Sequence, residues 1–86
     1  MSDIVPTIRE YLASTLRVTT VADLSDDYPL VARGVVDSIE LMQVVEFLEG
    51  TYGISIGETE VVPENLGTLA AMAALVQRKI ASSRQS

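Results

Sequence analysis

Apolar residues recur at helical spacing in three stretches of the chain and lose that period between them. Ile4, Ile8, Tyr11, Leu12 and Leu16 form one stripe, which predicts a first helix over about residues 3–17. Ser2 or Asp3 can cap it, and Pro6 is tolerated because it falls in the opening turn. All five apolar positions read as core packing. From Val18 to Val36 the period disappears. Thr19, Thr20, Ser25, Asp26, Asp27, Pro29 and Gly34 mark turns there, while Val21, Leu24, Leu30, Val31, Val35 and Val36 stay apolar. That mixture predicts a long connection pinned to the core by its own apolar side chains.

A second helix is predicted over 38–52. Asp37 is a good N-cap and Glu40 stands three positions later, the capping-box spacing in which each side chain answers a backbone N–H of the other. On a helical wheel Leu41, Val44, Val45, Leu48 and Tyr52 face one side, the core. Ile39, Met42, Gln43 and Glu46 fall on the opposite arc with Glu49 beside Met42, so two apolar residues sit among acids on the solvent side. Next to a serine at the helix start, they form a candidate docking patch. Gly50 and Gly53 loosen the helix end. Ile54 and Ile56 alternate with Ser55 and Gly57, as two residues tucked inward from an extended connection. Residues 58–66 hold a short helical turn with Pro63 suited to a first helical position. Thr68 can cap a last helix over 68–81, with Leu69, Met72, Ala73, Val76 and Ile80 as its core stripe and Arg78 and Lys79 suiting its C-terminal dipole. The alanines at 70, 71, 73 and 74 permit close packing, and 82–86 read as a frayed tail. The pattern is therefore all-α in a single domain, residues 1–86, with a short third helix and a long loop between helices 1 and 2.

Composition removes most catalytic chemistry. The 86 residues contain no cysteine and no histidine, which excludes thiolate nucleophiles, Ser-His-Asp and Cys-His arrangements and the commonest zinc ligands. Any thiol chemistry must be imported, and a chain working alone as an enzyme is not expected. Asp23, Asp26 and Asp27 lack the alternating ligands, central glycine and terminal glutamate of a calcium loop, so solvation or capping is the better reading and no metal is expected. The net charge is −6, and between Arg33 and Arg78 there is no base but there are Asp37, Glu40, Glu46, Glu49, Glu58, Glu60 and Glu64. Such a surface repels nucleic acid and anionic lipid and steers toward partners with basic patches. Residues 1–8 lack the basic start and apolar run of a secretory leader, and no apolar stretch is long enough to span a membrane. The expectation is a cytoplasmic monomer.

Ser38 is the residue that this architecture presents. A hydroxyl in the first turn of a helix meets free N–H groups and the positive end of the helix dipole, which favour a phosphate ester there.

Three segments carry a resemblance that spans the chain from the first helix to about Lys79. The Gly34-Val35-Val36-Asp37-Ser38-Ile39 run opens an acidic helix; Glu49 and Tyr52-Gly53-Ile54-Ser55-Ile56 follow it; Pro63-Glu64-Asn65-Leu66-Gly67-Thr68 leads into the last helix. In register with the four-helix pattern, the size, the acidity and the missing cysteine, they resemble an acyl carrier protein. The resemblance implies a small four-helix bundle carrying 4′-phosphopantetheine on Ser38, attached from coenzyme A by a separate phosphopantetheinyl transferase. The arm would hold an acyl or aminoacyl group as a thioester in fatty-acid, polyketide or nonribosomal peptide synthesis, and the chain itself would catalyse nothing. Asp37 would orient the loop and help the transferase recognise it. Ile39, Met42, Glu46 and Glu49 would contact partners, an activating ligase, synthase or transferase with a basic docking patch. Ile39 stands where the family more usually has leucine, and Gln43 and Glu46 where fatty-acid-type carriers more often have an acid and then an apolar residue. The Gly-Val-Val entry and the Pro-Glu-Asn-Leu segment look most like free-standing carriers that work beside a dedicated ligase. The competing reading is a non-carrying acidic helical module that binds a basic partner through its second helix.

Overall fold

The computed structural model describes residues 4–16 and 23–85. The expected caps Ser2 and Asp3, and Arg17, Val18, Thr19, Thr20 and Val21, lie outside the described residues, as does Ser86. Four helices follow one another: α1 (Ile4–Ser14), α2 (Ser38–Tyr52), α3 (Pro63–Leu66) and α4 (Leu69–Gln85), with a 3-10 turn at Glu58–Glu60 before α3. Among the described residues there is no strand.

α4 is the element against which the others pack, with α1, α2 and α3 all touching it. Ile8 and Leu12 of α1, Val44, Val45 and Leu48 of α2, Leu66 of α3 and Leu69, Met72, Ala73 and Val76 of α4 are buried together. Contact on several sides widens the buried arc of α4 beyond a simple stripe. Leu75, which the periodicity left out, is buried as deeply as its neighbours. Tyr11, Leu16, Leu41, Tyr52 and Ile80 lie partly buried at the edge of the same core.

Three element boundaries differ from the sequence expectation. α1 ends at Ser14, because the Ser14 hydroxyl donates back to the Glu10 carbonyl at 2.7 Å and both Thr15 and Leu16 N–H groups fold onto the Tyr11 carbonyl. Residues 58–66 are not one helix. Val62 precedes a proline and is extended at φ −133°, ψ 157°, so the 3-10 turn and α3 are separate. α4 runs on to Gln85, not into a frayed tail from 82, since nothing from Ala81 to Gln85 is a glycine or proline.

The connection between α1 and α2 is tied down by side chain and backbone. Arg9 donates to the Leu24 carbonyl at 2.7 Å and pairs with the Asp26 carboxylate, while the Asp26 carbonyl accepts the Ala70 N–H at 3.0 Å. Asp26 is thus an anchor of the loop. Ile56 is buried as expected and Ile54 packs beside the core. Thr68 caps α4, its hydroxyl accepting the Ala71 N–H at 3.0 Å.

Candidate functional site

The approach to Ser38 is a helical turn stopped abruptly. The Gly34 N–H donates to the Val31 carbonyl at 3.1 Å and the Val35 N–H to the Leu30 carbonyl at 2.8 Å. Gly34 sits at φ 74°, so these bonds form the Schellman arrangement, in which a left-handed residue satisfies the last carbonyls of a turn. Only glycine takes that conformation without strain. The reversal drives Val36 into the core, 1% exposed, and brings Asp37 to the start of α2.

At Asp37 the capping box is complete. Its carboxylate accepts the Glu40 N–H at 2.8 Å, and the Glu40 carboxylate accepts the Asp37 N–H at 3.0 Å. Asp37 itself is extended, at φ −91° and ψ −177°. Two of the donors that a helix start leaves unpaired are thereby satisfied. Those of Ser38 and Ile39 have no hydrogen-bond partner among the described residues. Ser38 is exposed in the first position of the helix. An exposed hydroxyl, free N–H groups beside it and the positive end of a 15-residue helix form a place where a phosphodiester on Ser38 Oγ fits.

The solvent arc of α2 follows the wheel. Ile39 is 73% exposed and Met42 50%, the exposed large apolar side chains among the described residues, and Gln43 and Glu46 are exposed with them. Glu49 is different. It is half-buried, and its carboxylate accepts the N–H of buried Ile56 at 2.8 Å, holding the return from α2 against the bundle. Ser38, Asp37, Ile39, Met42 and Glu46 are all exposed on α2 and its cap, while Glu49 has an internal role that no local spacing announces.

Phe47 also escaped the wheel reading. Its ring stacks on Tyr11 with centroids 4.0 Å apart and planes 14° from parallel, and the Tyr11 hydroxyl donates to the Gln43 carbonyl at 3.3 Å. These contacts fix α2 against α1 at the edge of its solvent arc. The C-terminal end of α2 closes on Gly53, left-handed at φ 65°, whose N–H donates to the Glu49 carbonyl at 3.0 Å.

Beyond the site, Glu60 fastens the 3-10 turn to α4. One carboxylate oxygen accepts both the Gly57 N–H at 2.9 Å and Lys79 Nζ at 2.6 Å. The Lys79 hydrogen bond, then the Gly57 N–H, hold the Glu60 carboxyl below the usual carboxylate range.

The described residues thus form a small all-helical domain with a capped, exposed serine opening its second helix. The phosphopantetheine attachment site family matches residues 6–76 of the chain, a span that includes Ser38. The chain is also 39% identical over 62 residues to a protein of Serratia sp. (strain ATCC 39006) named "Probable acyl carrier protein PigG", covering 72% of this chain and 71% of that one. The chain belongs to the acyl carrier protein family, whose members are carriers and not enzymes. Its cofactor is 4′-phosphopantetheine, held covalently. No helix among the described residues is long and apolar enough to cross a membrane.

Proposed function

We propose that Ser38 bears the phosphopantetheine arm and that the exposed arc of α2 delivers the loaded arm to partner enzymes. The observation that carries this reading is the exposed Ser38 hydroxyl at the capped first turn of α2, with unpartnered N–H groups beside it. In the site of a separate transferase, Ser38 Oγ attacks the pantetheine-bearing phosphorus of coenzyme A. A serine–phosphate bond forms, the diphosphate bond opens, the nucleotide half leaves and the hydroxyl proton passes to the transferase. When bound, the arm supplies the thiol that this cysteine-free chain lacks, and a thioester on that thiol holds an acyl or aminoacyl cargo.

Asp37 holds the first turn of α2 in register for the transferase, and Ile39, Met42 and Glu46 meet partners through apolar contact rimmed by negative charge. Basic docking patches on a phosphopantetheinyl transferase and on an activating ligase, synthase or acyltransferase complement that arc. The relative named as an acyl carrier supports an acyl cargo for this chain too. A free-standing monomer acting beside a dedicated ligase suits the absence, among the described residues, of any exposed large apolar side chain besides Ile39 and Met42. A cofactor drawn from coenzyme A goes with a cytoplasmic chain.

Intact-mass spectrometry after incubation with coenzyme A, magnesium and a broad-specificity phosphopantetheinyl transferase tests the assignment. One added arm on the wild type and none on Ser38→Ala is the expected result. Addition to Ser38→Ala, or none to the wild type under conditions that load a control carrier, overturns it.

A further inference from the structure

The corner between α3 and α4 makes a backbone contact with the turn that leads to Ser38. Leu30 is fully buried, its N–H donates to the Gly67 carbonyl at 2.8 Å, and its own carbonyl accepts the N–H groups of Val35 at 2.8 Å and Val36 at 3.2 Å. From Arg33 to Asp37 every backbone N–H is donated, to Pro29, Val31, Leu30, Leu30 and the Glu40 side chain in turn. The Val35 and Val36 N–H groups tie the Leu30 carbonyl directly to the residues that precede the Asp37 cap, so a shift of Leu30 is passed on to Ser38.

Gly67 is glycine for a reason of space. Its backbone is ordinary right-handed helix at φ −76°, ψ −20°. A Cβ there, however, would stand 2.6 Å from the Pro63 carbonyl oxygen and 3.4 Å from the Pro63 carbonyl carbon, main-chain atoms that cannot swing aside. The Gly67 N–H donates to that same Pro63 carbonyl at 2.8 Å. The absent side chain lets the corner close on the end of α3, and the closed corner offers its carbonyl to Leu30.

We propose that Leu30 and Gly67 are positioning residues for the loading of Ser38: the backbone hydrogen bond between them sets where the serine hydroxyl is presented to the transferase. This rests on Ser38 being the attachment residue. Both residues are buried, and both act through the turn from Pro29 to Val36.

Two variants test it. Replacing the Leu30 amide by an ester, with leucic acid introduced by chemical ligation, removes the donor and leaves the side chain in the core. Gly67→Ala displaces the acceptor. Ile8→Val, in the buried stripe of α1, is the control that weakens the core without touching the turn. Loading rates with a phosphopantetheinyl transferase are measured at a temperature where circular dichroism shows every variant folded, and the Ser38 and Ile39 amide resonances are recorded alongside. The ester and Gly67→Ala are expected to load roughly two- to tenfold more slowly, the range of one neutral hydrogen bond. Their Ser38 and Ile39 resonances should move, while Ile8→Val loads at the wild-type rate. If Gly67→Ala does not fold, the ester decides. A folded ester variant loaded at the wild-type rate, or an Ile8→Val variant slowed as much, overturns the proposal. Failure of the attachment reading looks different, since the wild type itself then takes no arm or Ser38→Ala takes one.

Discussion

Replacing Asp37 separates the observed cap from the proposed recognition of its carboxylate by the transferase. Asp37→Ala removes the oxygen that accepts the Glu40 N–H and leaves that donor to water. Loss of an N-cap side chain costs about 1 kcal/mol, within a range of roughly 0.5–2 kcal/mol. For a chain of 86 residues the entropy of unfolding is roughly 0.18 kcal/mol/K, so that loss lowers the melting temperature by about 5 °C. Asp37→Asn keeps an accepting oxygen and ranks with Asp as a cap, losing only the charge–dipole part, which for an exposed carboxylate screened by salt is roughly 0.3 kcal/mol.

Thermal melts by circular dichroism and loading rates with a phosphopantetheinyl transferase are read on both variants. Asp37→Ala should melt about 5 °C lower and load slowly, because the first turn of α2 frays at Ser38, the proposed attachment residue. Asp37→Asn should stay within about 2 °C of the wild type. If its loading is slow as well, the carboxylate charge is what the transferase reads; if loading is normal, Asp37 acts through the cap. An Asp37→Ala protein melting with the wild type, or an Asp37→Asn protein falling as far as Asp37→Ala, would refute the capping account.

The glycine inside α2 and the glycine that closes it should respond with opposite signs. Gly53→Ala forces a side chain into left-handed backbone and costs roughly 1–2 kcal/mol, whereas Gly50→Ala, with open space at its Cβ, gains roughly 0.5–1 kcal/mol; urea melts distinguish them. The Glu60 carboxyl is held below its ordinary value, so its contribution to stability is present above the usual carboxylate range and fades as pH falls through the lowered value. Glu60→Gln should flatten that part of the stability–pH curve, and an unchanged curve would sink the clasp with Lys79. Met42→Ala should melt within about 0.5 kcal/mol of the wild type yet slow transfer from the loaded arm by roughly fivefold. Glu46→Gln and Glu49→Gln remove the same charge, so both should slow partner association at low salt, but only Glu46→Gln should speed dissociation in surface-plasmon measurements.

What could be read from the sequence was whatever depends on near neighbours. The stripes of α1, α2 and α4, the Asp37–Glu40 box and the Thr68 cap each need only residues a few positions apart, and the structure has them. Leu75 and Phe47 were missed because their surroundings come from other helices: α4 is packed on several sides, and Phe47 finds Tyr11 across 36 positions of chain. The boundary errors share a cause. Val62 before Pro63 and the back-bonded Ser14 are local stops that outweighed an otherwise helical pattern, while the polar end of α4 lacks any stop. Gly34 was visible as a turn, but its closure of a Schellman turn on Leu30, and Leu30's bond to Gly67, join segments that no spacing relates.

The acidic segment between Arg33 and Arg78 shows why charge counted along a chain is not the same as charge offered to a partner. Asp37 and Glu40 cap α2, Glu49 holds the Ile56 N–H, and Glu60 holds the Gly57 N–H and Lys79. Four of the seven acids therefore serve the backbone first, and Glu46, Glu58 and Glu64 point to solvent without a partner among the described residues. A hydrogen bond from a neutral N–H leaves the carboxylate charged, so only Glu60, paired with Lys79, loses most of its long-range field. On the proposed reading, the segment therefore offers nearly all of its seven acids for long-range attraction of a basic partner but few for contact beside Ser38. On α2, Glu46 is the acid left free to share a contact with Ile39 and Met42. Steering should accordingly depend on salt and on many residues, and the choice among partners on the short arc from Ile39 to Glu46.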